Sequence, residues 1–289
     1  MPENPLPVAR SRAEIFAAIR NYRNSGETVG LVPTMGALHD GHLSLIGESR
    51  ARTDRTVASI YVNPTQFAPG EDFDSYPRET ESDLAKLAAA GCDLAYLPGE
   101  EDMYPPGSLT EVRVNGLSDL LDGRHRPHFF YGVATVVARL FAQVRPDVAV
   151  FGEKDYQQLQ IIRRMAADLG FPVEIIGAPT VRGPDGLAHS SRNAYLGAGE
   201  RRRAGALFAA LHRARMRIAC GAPVGECLAE ARAHLRAAGW DGVDYVTAVD
   251  PATLEDLPEG PLAAGAALRL LGAGHVGTTR LIDNMGPSA

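Results

Sequence analysis

Two histidines three residues apart, His39 and His42, stand in the segment Pro33-Thr34-Met35-Gly36-Ala37-Leu38-His39-Asp40-Gly41-His42. A short apolar run precedes the segment, and the apolar positions Leu43, Leu45 and Ile46 of a helix follow it. Spacing of three puts both imidazoles on one side of a helix N-terminus, where unpaired backbone N–H groups and the helix dipole already favour an anion. Gly41 between them lets a ligand come close to the backbone. Such a pair could hold phosphate oxygens and stabilise the charge that grows as a phosphoryl centre becomes pentavalent. The same spacing suits a zinc pair, but no third ligand is attached to it, and no residue is assigned to a metal.

A second cluster, Phe151-Gly152-Glu153-Lys154-Asp155-Tyr156-Gln157-Gln158, follows another apolar run. Lys154 could act as a mobile point charge on phosphate, Asp155 as an acceptor for ribose hydroxyls, and Gln158 as a donor to a substrate carboxylate or hydroxyl. A third, His189-Ser190-Ser191-Arg192-Asn193, sets small hydroxyls beside one guanidinium, which suits a flexible clamp over a polyphosphate. Of the 29 basic side chains only Lys86 and Lys154 are lysines. Arginine is therefore the default cation here, and a lysine marks a place where arginine does not fit, or, as expected for Lys86 on a helix, a solvated stem.

These residues need a frame. Ser11-Arg12-Ala13-Glu14 has the form of a capping box and predicts a helix to about Arg23. Strands are predicted at Thr28–Val32, Thr56–Val62, Asp93–Leu97, Asp147–Phe151 and Val173–Gly177, and helices after Gly36 and near Thr80–Ala90, Val133–Val144 and Tyr156–Leu169. This alternation implies a doubly wound α/β fold with a parallel sheet, right-handed crossovers and ligands at the carboxyl ends of the strands. After Thr180 the pattern changes. A loop at Arg182–Asn193 leads to helices at Glu200–Ala219 and Val224–Ala238, then strands at Val243–Val249, Ala267–Leu271 and Gly277–Ile282. Two domains are expected, residues 1–180 and a smaller α+β domain at 181–289.

Composition narrows the class. Hydrophobic residues are 45% and charged residues 22% of 289, ordinary globular values that exclude a disordered or low-complexity chain. Residues 1–180 carry 17 Arg+Lys against 24 Asp+Glu, net −7, and the remainder is net +1, so neither half reads as a nucleic-acid binder. The cluster Arg201, Arg202, Arg203, Arg213, Arg215 and Arg217 reads as a solvated helix face. No run approaches the roughly 18 apolar residues of a membrane span, and the opening MPENPLPVARSRAE has no apolar signal core, so a soluble, cytoplasmic protein is expected. Cys92, Cys220 and Cys227 form no CxxC pair and are expected to be buried thiols.

Taken together, PTMGALHDGH, VNPTQF (62–67), GEKDYQQL, PTVRGPDGLAHSSRNAYL (179–196) and TTRLIDN (278–284) resemble the pantothenate synthetases, or pantoate–β-alanine ligases, of the nucleotidyltransferase superfamily. VNPTQF and GEKDYQQL discriminate, since HxGH is shared with many adenylyl-transferring enzymes. The resemblance implies a Rossmann-like N-terminal domain with a smaller C-terminal lid, typically in a homodimer. It also implies ATP- and Mg²⁺-dependent condensation of pantoate with β-alanine through a bound pantoyl adenylate, giving pantothenate, AMP and pyrophosphate.

By the same resemblance His39, His42, Lys154, Ser190, Ser191 and Arg192 are the catalytic set on the ATP phosphates. Gly152, Asp155, Val181 and His189 would lie around ribose and adenine. Pro33, Thr34, Gln66, Gln158 and Met35, the last shared with the ATP site, would line the pantoate pocket, with Val133 and Val136 as its apolar wall. Asn63, Tyr76 and Arg126 fall at other positions near the site. Two departures stand out: His189 replaces the family's usual methionine before Ser-Ser-Arg, and His128 lies one place early in Arg126-Pro127-His128-Phe129-Phe130-Tyr131-Gly132-Val133. Rival classes are a nucleotidylyltransferase that stops at AMP transfer, an aminoacyl-tRNA synthetase relative and a nucleotide sensor without turnover. The acidic first half disfavours the second, and the polar pair Gln66 and Gln158 the third.

Overall fold

The structure is a computed structural model that describes residues 6–286. Part of the opening stretch read for a signal core therefore lies outside the described residues. The chain divides into two units, one running through Glu153 and resuming at Gln158–Pro179, the other comprising Lys154–Gln157 and everything from Thr180.

The first unit contains, in chain order, β1 (Val8–Ala9), α1 (Arg12–Asn24), β2 (Val29–Thr34), α2 (Asp40–Arg50), β3 (Arg55–Ile60), α3 (Thr80–Ala89), β4 (Leu94–Tyr96), α4 (Glu100–Met103), α5 (Asp122–His125), α6 (Phe129–Val144), β5 (Val148–Gly152), most of α7 (Tyr156–Asp168) and β6 (Glu174–Ala178). The six strands form one parallel sheet in the order β1-β4-β3-β2-β5-β6. Strands covered on both faces read as continuous apolar runs, as Val29, Leu31 and Val32 of β2 do with no exposure at all. The Ser11 hydroxyl caps α1 by accepting from the Glu14 N–H at 3.3 Å. Helix α2 is seated on β3 by a buried hydroxyl pair, Ser49 Oγ to Thr56 Oγ1 at 2.8 Å, and by Leu45 and Ile46 in the core that also takes Val32 and Ala58. The strand order reverses beside β2. From β2 the chain builds outward through β3 and β4, then returns to place β5 on the opposite side of β2, with Gly30 opposite Val148. The carboxyl ends of β2 and β5 thus flank the topological switch point, the crevice where open α/β sheets bind ligands.

The second unit contains α8 (Ala198–Ala204), α9 (Ala206–Ala219) and α10 (Val224–Ala237) against an antiparallel sheet of β7 (Gly242–Val249), β8 (Arg269–Val276) and β9 (Thr279–Met285). Its core includes Leu207, Leu211, Leu235, Trp240, Val246 and Leu270.

Several expectations change. The single helix expected at Glu200–Ala219 is two helices meeting at Gly205. The strand expected at Ala267–Leu271 runs on to Val276, because its glycines serve close packing rather than a turn: a Cβ at Gly274 would come 2.4 Å from the Gly242 carbonyl oxygen and 3.0 Å from the Trp240 ring. Strand β1 is only two residues long, too short to show a period, and takes its register from β4. Of the cysteines, Cys92 and Cys227 are buried but Cys220, the C-cap of α9, is exposed. Burial pushes the Cys92 thiol up to about 11. Among the described residues no helix is long and apolar enough to cross a membrane.

Candidate active site

Where β2 ends, the chain makes a tight turn into α2. Thr34 Oγ1 donates to the Ser59 carbonyl at 2.7 Å and accepts from the Gly36 N–H at 3.2 Å, so this expected pocket residue also closes the turn. Gly36 and Ala37 are both left-handed, with φ of +82° and +50°. At Ala37 that conformation costs about 1–2 kcal/mol and has to be held by its surroundings. His39 is the N-cap of α2 and His42 its third residue. The two rings stack with centroids 4.0 Å apart. His42 Nδ1 accepts the His39 backbone N–H at 3.4 Å, so the neutral His42 ring carries its proton on Nε2.

Beneath this turn lies a feature that motif reasoning missed. Asp83, in the first turn of α3, accepts the Ala37 N–H at 2.9 Å and the Leu38 N–H at 2.8 Å, and Lys86 one turn on donates to the Leu38 carbonyl at 2.9 Å. The expectation of a solvated stem for Lys86 is thereby corrected. Only its isolation among arginines could have drawn attention to it.

Asn63, Gln66 and Met35, three of the residues expected to hold pantoate, meet in the same unit. Asn63 Nδ2 donates to Gln66 Oε1 and to the Gly132 carbonyl, both at 3.1 Å, and Gln66 Nε2 points at Met35 Sδ at 3.1 Å. Asn63 and Gln66 are buried, as are Val133 and Val136 on α6, the helix whose Gly132 carbonyl accepts from Asn63. Tyr104, not anticipated, donates to Asn63 Oδ1 at 2.8 Å and lies under the Arg139 guanidinium. Its loop carries no motif that marks it. Tyr76 is buried and edges against Phe67. Arg126 grips Glu71 with two hydrogen bonds of 2.8 and 2.5 Å and stacks on Phe129 at 3.8 Å. Burial alone would raise the Glu71 carboxyl; the Arg126 bonds and charge outweigh it and hold the carboxyl below its ordinary value. The early histidine thus leaves Phe129 as a platform for Arg126, while His128 becomes the N-cap of α6 with its Nε2 buried. Pro33 ends up half-buried in β2, Gly152 closes β5 and Gln158 stands partly exposed on α7.

The second unit holds the remaining candidates. Lys154 Nζ lies 3.5 Å from Asp155. Asn284 donates to the Lys154 carbonyl at 2.7 Å and accepts from Arg269 Nε at 2.8 Å, and Arg269 stacks on Tyr156 at 3.9 Å. The Lys154 backbone is therefore pinned to β9 and β8. His189 N–H bonds the Val181 carbonyl at 3.0 Å, bringing these two together, and the neighbouring Arg182 makes a two-pronged ion pair with the buried Asp283. Ser190 caps the 3₁₀ turn Ser191–Tyr195 by accepting the Arg192 N–H at 3.3 Å. The segment expected to act as a flexible clamp is this 3₁₀ turn, with Ser190, Ser191 and Arg192 all partly exposed.

The family model for pantoate-beta-alanine ligase matches residues 7–286. The chain belongs to that family. The pantothenate synthetase of Hyphomonas neptunium is 62% identical over 284 residues, covering 98% of this chain and 97% of that protein. The crystal structure of pantothenate synthetase from Thermus thermophilus superposes with a TM-score of 0.91 at 48% identity, covering 97% of this chain and 99% of that one. The pantoate-beta-alanine ligase of Francisella tularensis, solved with beta-gamma ATP and β-alanine, gives a TM-score of 0.80 at 31% identity and covers 97% of each chain. The enzyme is thus a pantoate–β-alanine ligase, and the reaction of its family is the ATP-dependent condensation of pantoate with β-alanine to pantothenate.

Proposed function

We propose that residues 1–180 bind ATP and pantoate and that residues 181–289 form the lid, with the chemistry divided among the groups described above. The pantoate carboxylate lies over Asn63, Gln66 and Gln158, its geminal methyls against Val133 and Val136. One carboxylate oxygen attacks the α-phosphorus of ATP, the bond to the β-phosphate breaks, and pyrophosphate leaves with pantoyl adenylate formed. His39, His42 and the N-terminus of α2 stabilise charge on the phosphate oxygens during that step, His42 through its Nε2–H. Lys154, Ser190, Ser191 and Arg192 neutralise the leaving pyrophosphate. Gly152, Asp155, Val181, His189 and Met35 hold the nucleoside. The β-alanine amine then attacks the acyl carbon and gives up a proton, the bond to AMP breaks, and the amide of pantothenate remains. Neither step needs a protein nucleophile, so positioning and charge stabilisation carry the catalysis.

Magnesium would enter with the nucleotide. Such an ion would keep several waters and take its other ligands from the substrate phosphates. A homodimer in the cytoplasm completes the proposal and rests on the family resemblance.

One observation carries the assignment: the stacked histidine pair leaves β2 and the Gly152 segment leaves β5 at the two sides of the sheet's switch point. Pyrophosphate release tests it. With ATP, Mg²⁺ and pantoate alone the expected result is a burst of about one pyrophosphate per site, with steady turnover only when β-alanine is added. Equal steady rates with and without the amine would contradict the bound intermediate.

A further inference from the structure

The turn that carries His39 has an unusual support. Gly36 and Ala37 are consecutive left-handed residues, and the N–H groups of Ala37 and Leu38 converge on one carboxylate, that of Asp83. Successive N–H groups in such a turn make a concave anion-binding nest. Here the anion comes from the chain itself, on a side chain only 1% exposed. Lys86 completes the support from the same face of α3, its ammonium bonded to the Leu38 carbonyl and 4.0 Å from the Asp83 carboxylate. A Cβ at Gly36 would come 2.9 Å from Asp83 Oδ2, so the carboxylate fills the space that the glycine leaves. Three backbone polar groups immediately before His39 are thus held by two side chains at positions i and i+3 of one helix.

We propose that Asp83 and Lys86 are positioning residues for the histidine pair. They keep Ala37 in its left-handed conformation, so that α2 starts at His39 and both imidazoles stand ready when the α-phosphorus is attacked. The proposal rests on the assignment of His39 and His42 to the phosphates. Asparagine at 83 keeps the size of the side chain but loses its charge and turns an NH₂ toward one of the two N–H donors. The turn then samples other conformations, and the histidines are misplaced in the transition state, where small displacements cost rate steeply.

Steady-state kinetics at 25 °C on Asp83→Asn, Lys86→Met, Asp83→Asn/Ala37→Gly and His39→Ala test the idea. The expected kcat is lower by about tenfold or more in Asp83→Asn and by about three- to tenfold in Lys86→Met. Glycine at 37 holds a positive φ without help, so in the Asp83→Asn background it should restore kcat by about fivefold or more. A role in global stability alone would move the unfolding midpoint but would not couple kcat to Ala37→Gly. Wild-type kcat in Asp83→Asn, or a loss that Ala37→Gly leaves untouched, overturns the proposal. Near-normal kcat in His39→Ala overturns the assignment on which it rests, and the proposal with it, so the two failures differ in which variant stays active. Should Asp83→Asn fail to fold, Lys86→Met decides alone, and an unchanged kcat there refutes the support.

Discussion

At the scale of single residues, catalysis in this enzyme is assigned to charge held in place rather than to any attacking side chain. Lys154 illustrates the distinction. Of its 29 Lys and Arg positions the chain uses arginine at all but two, yet writes lysine two residues after the switch-point strand β5, beside Asp155. A compact ammonium can follow phosphate oxygens as the phosphorus becomes pentavalent, whereas a planar guanidinium grips one ground-state geometry. Lys154→Arg should therefore lose about 10²-fold or more in kcat/KM, roughly 2.7 kcal/mol, despite keeping its charge. Comparable kcat/KM for the two proteins would remove the composition argument for this residue. The other lysine bears the same logic differently: Lys86 ends on a backbone carbonyl of the histidine turn, where one compact donor is used.

At the scale of elements, the second unit depends on close approaches that only glycine permits. Gly274 on β8 faces the Gly242 carbonyl and the ring of Trp240, the sole tryptophan of the chain. Gly274→Ala should destabilise this unit by about 1–3 kcal/mol through overpacking. Urea unfolding followed by Trp240 fluorescence checks it, and an unchanged midpoint would mean that β8 relaxes freely. The same strand shows where the sequence is legible and where it is not. The α/β order, the parallel sheet and the helix opened by His39 follow from runs such as Val29–Val32 and from glycine punctuation. The full length of β8 did not, because glycine marks turns and close packing alike, and only the Trp240 neighbourhood tells them apart. In the candidate site His39, His42, Asn63 and Gln66 were readable from motifs, while Asp83, Tyr104 and Arg269 were not. Asp83 and Tyr104 lie 46 and 41 residues along the chain from the groups they hold, Arg269 bonds Asn284, which in turn bonds the Lys154 carbonyl, and single polar side chains carry no period.

At the scale of the whole molecule, each of the two units carries part of the proposed machinery. The first carries the helix start at His39 and His42, proposed to bind phosphate, and the buried amides Asn63 and Gln66, proposed to bind pantoate; the second carries Lys154, pinned through Asn284, and the Ser190 turn. In the proposed adenylate route one pantoate oxygen is transferred to the α-phosphorus of ATP. Isotope transfer follows that oxygen directly. With pantoate labelled by ¹⁸O at both carboxylate oxygens, and with ATP, Mg²⁺ and β-alanine present, one label should appear in the phosphate of AMP and one in the amide carbonyl of pantothenate, with none in pyrophosphate. Label in inorganic phosphate, with ADP formed in place of AMP, would contradict the adenylate and point to an acyl phosphate instead.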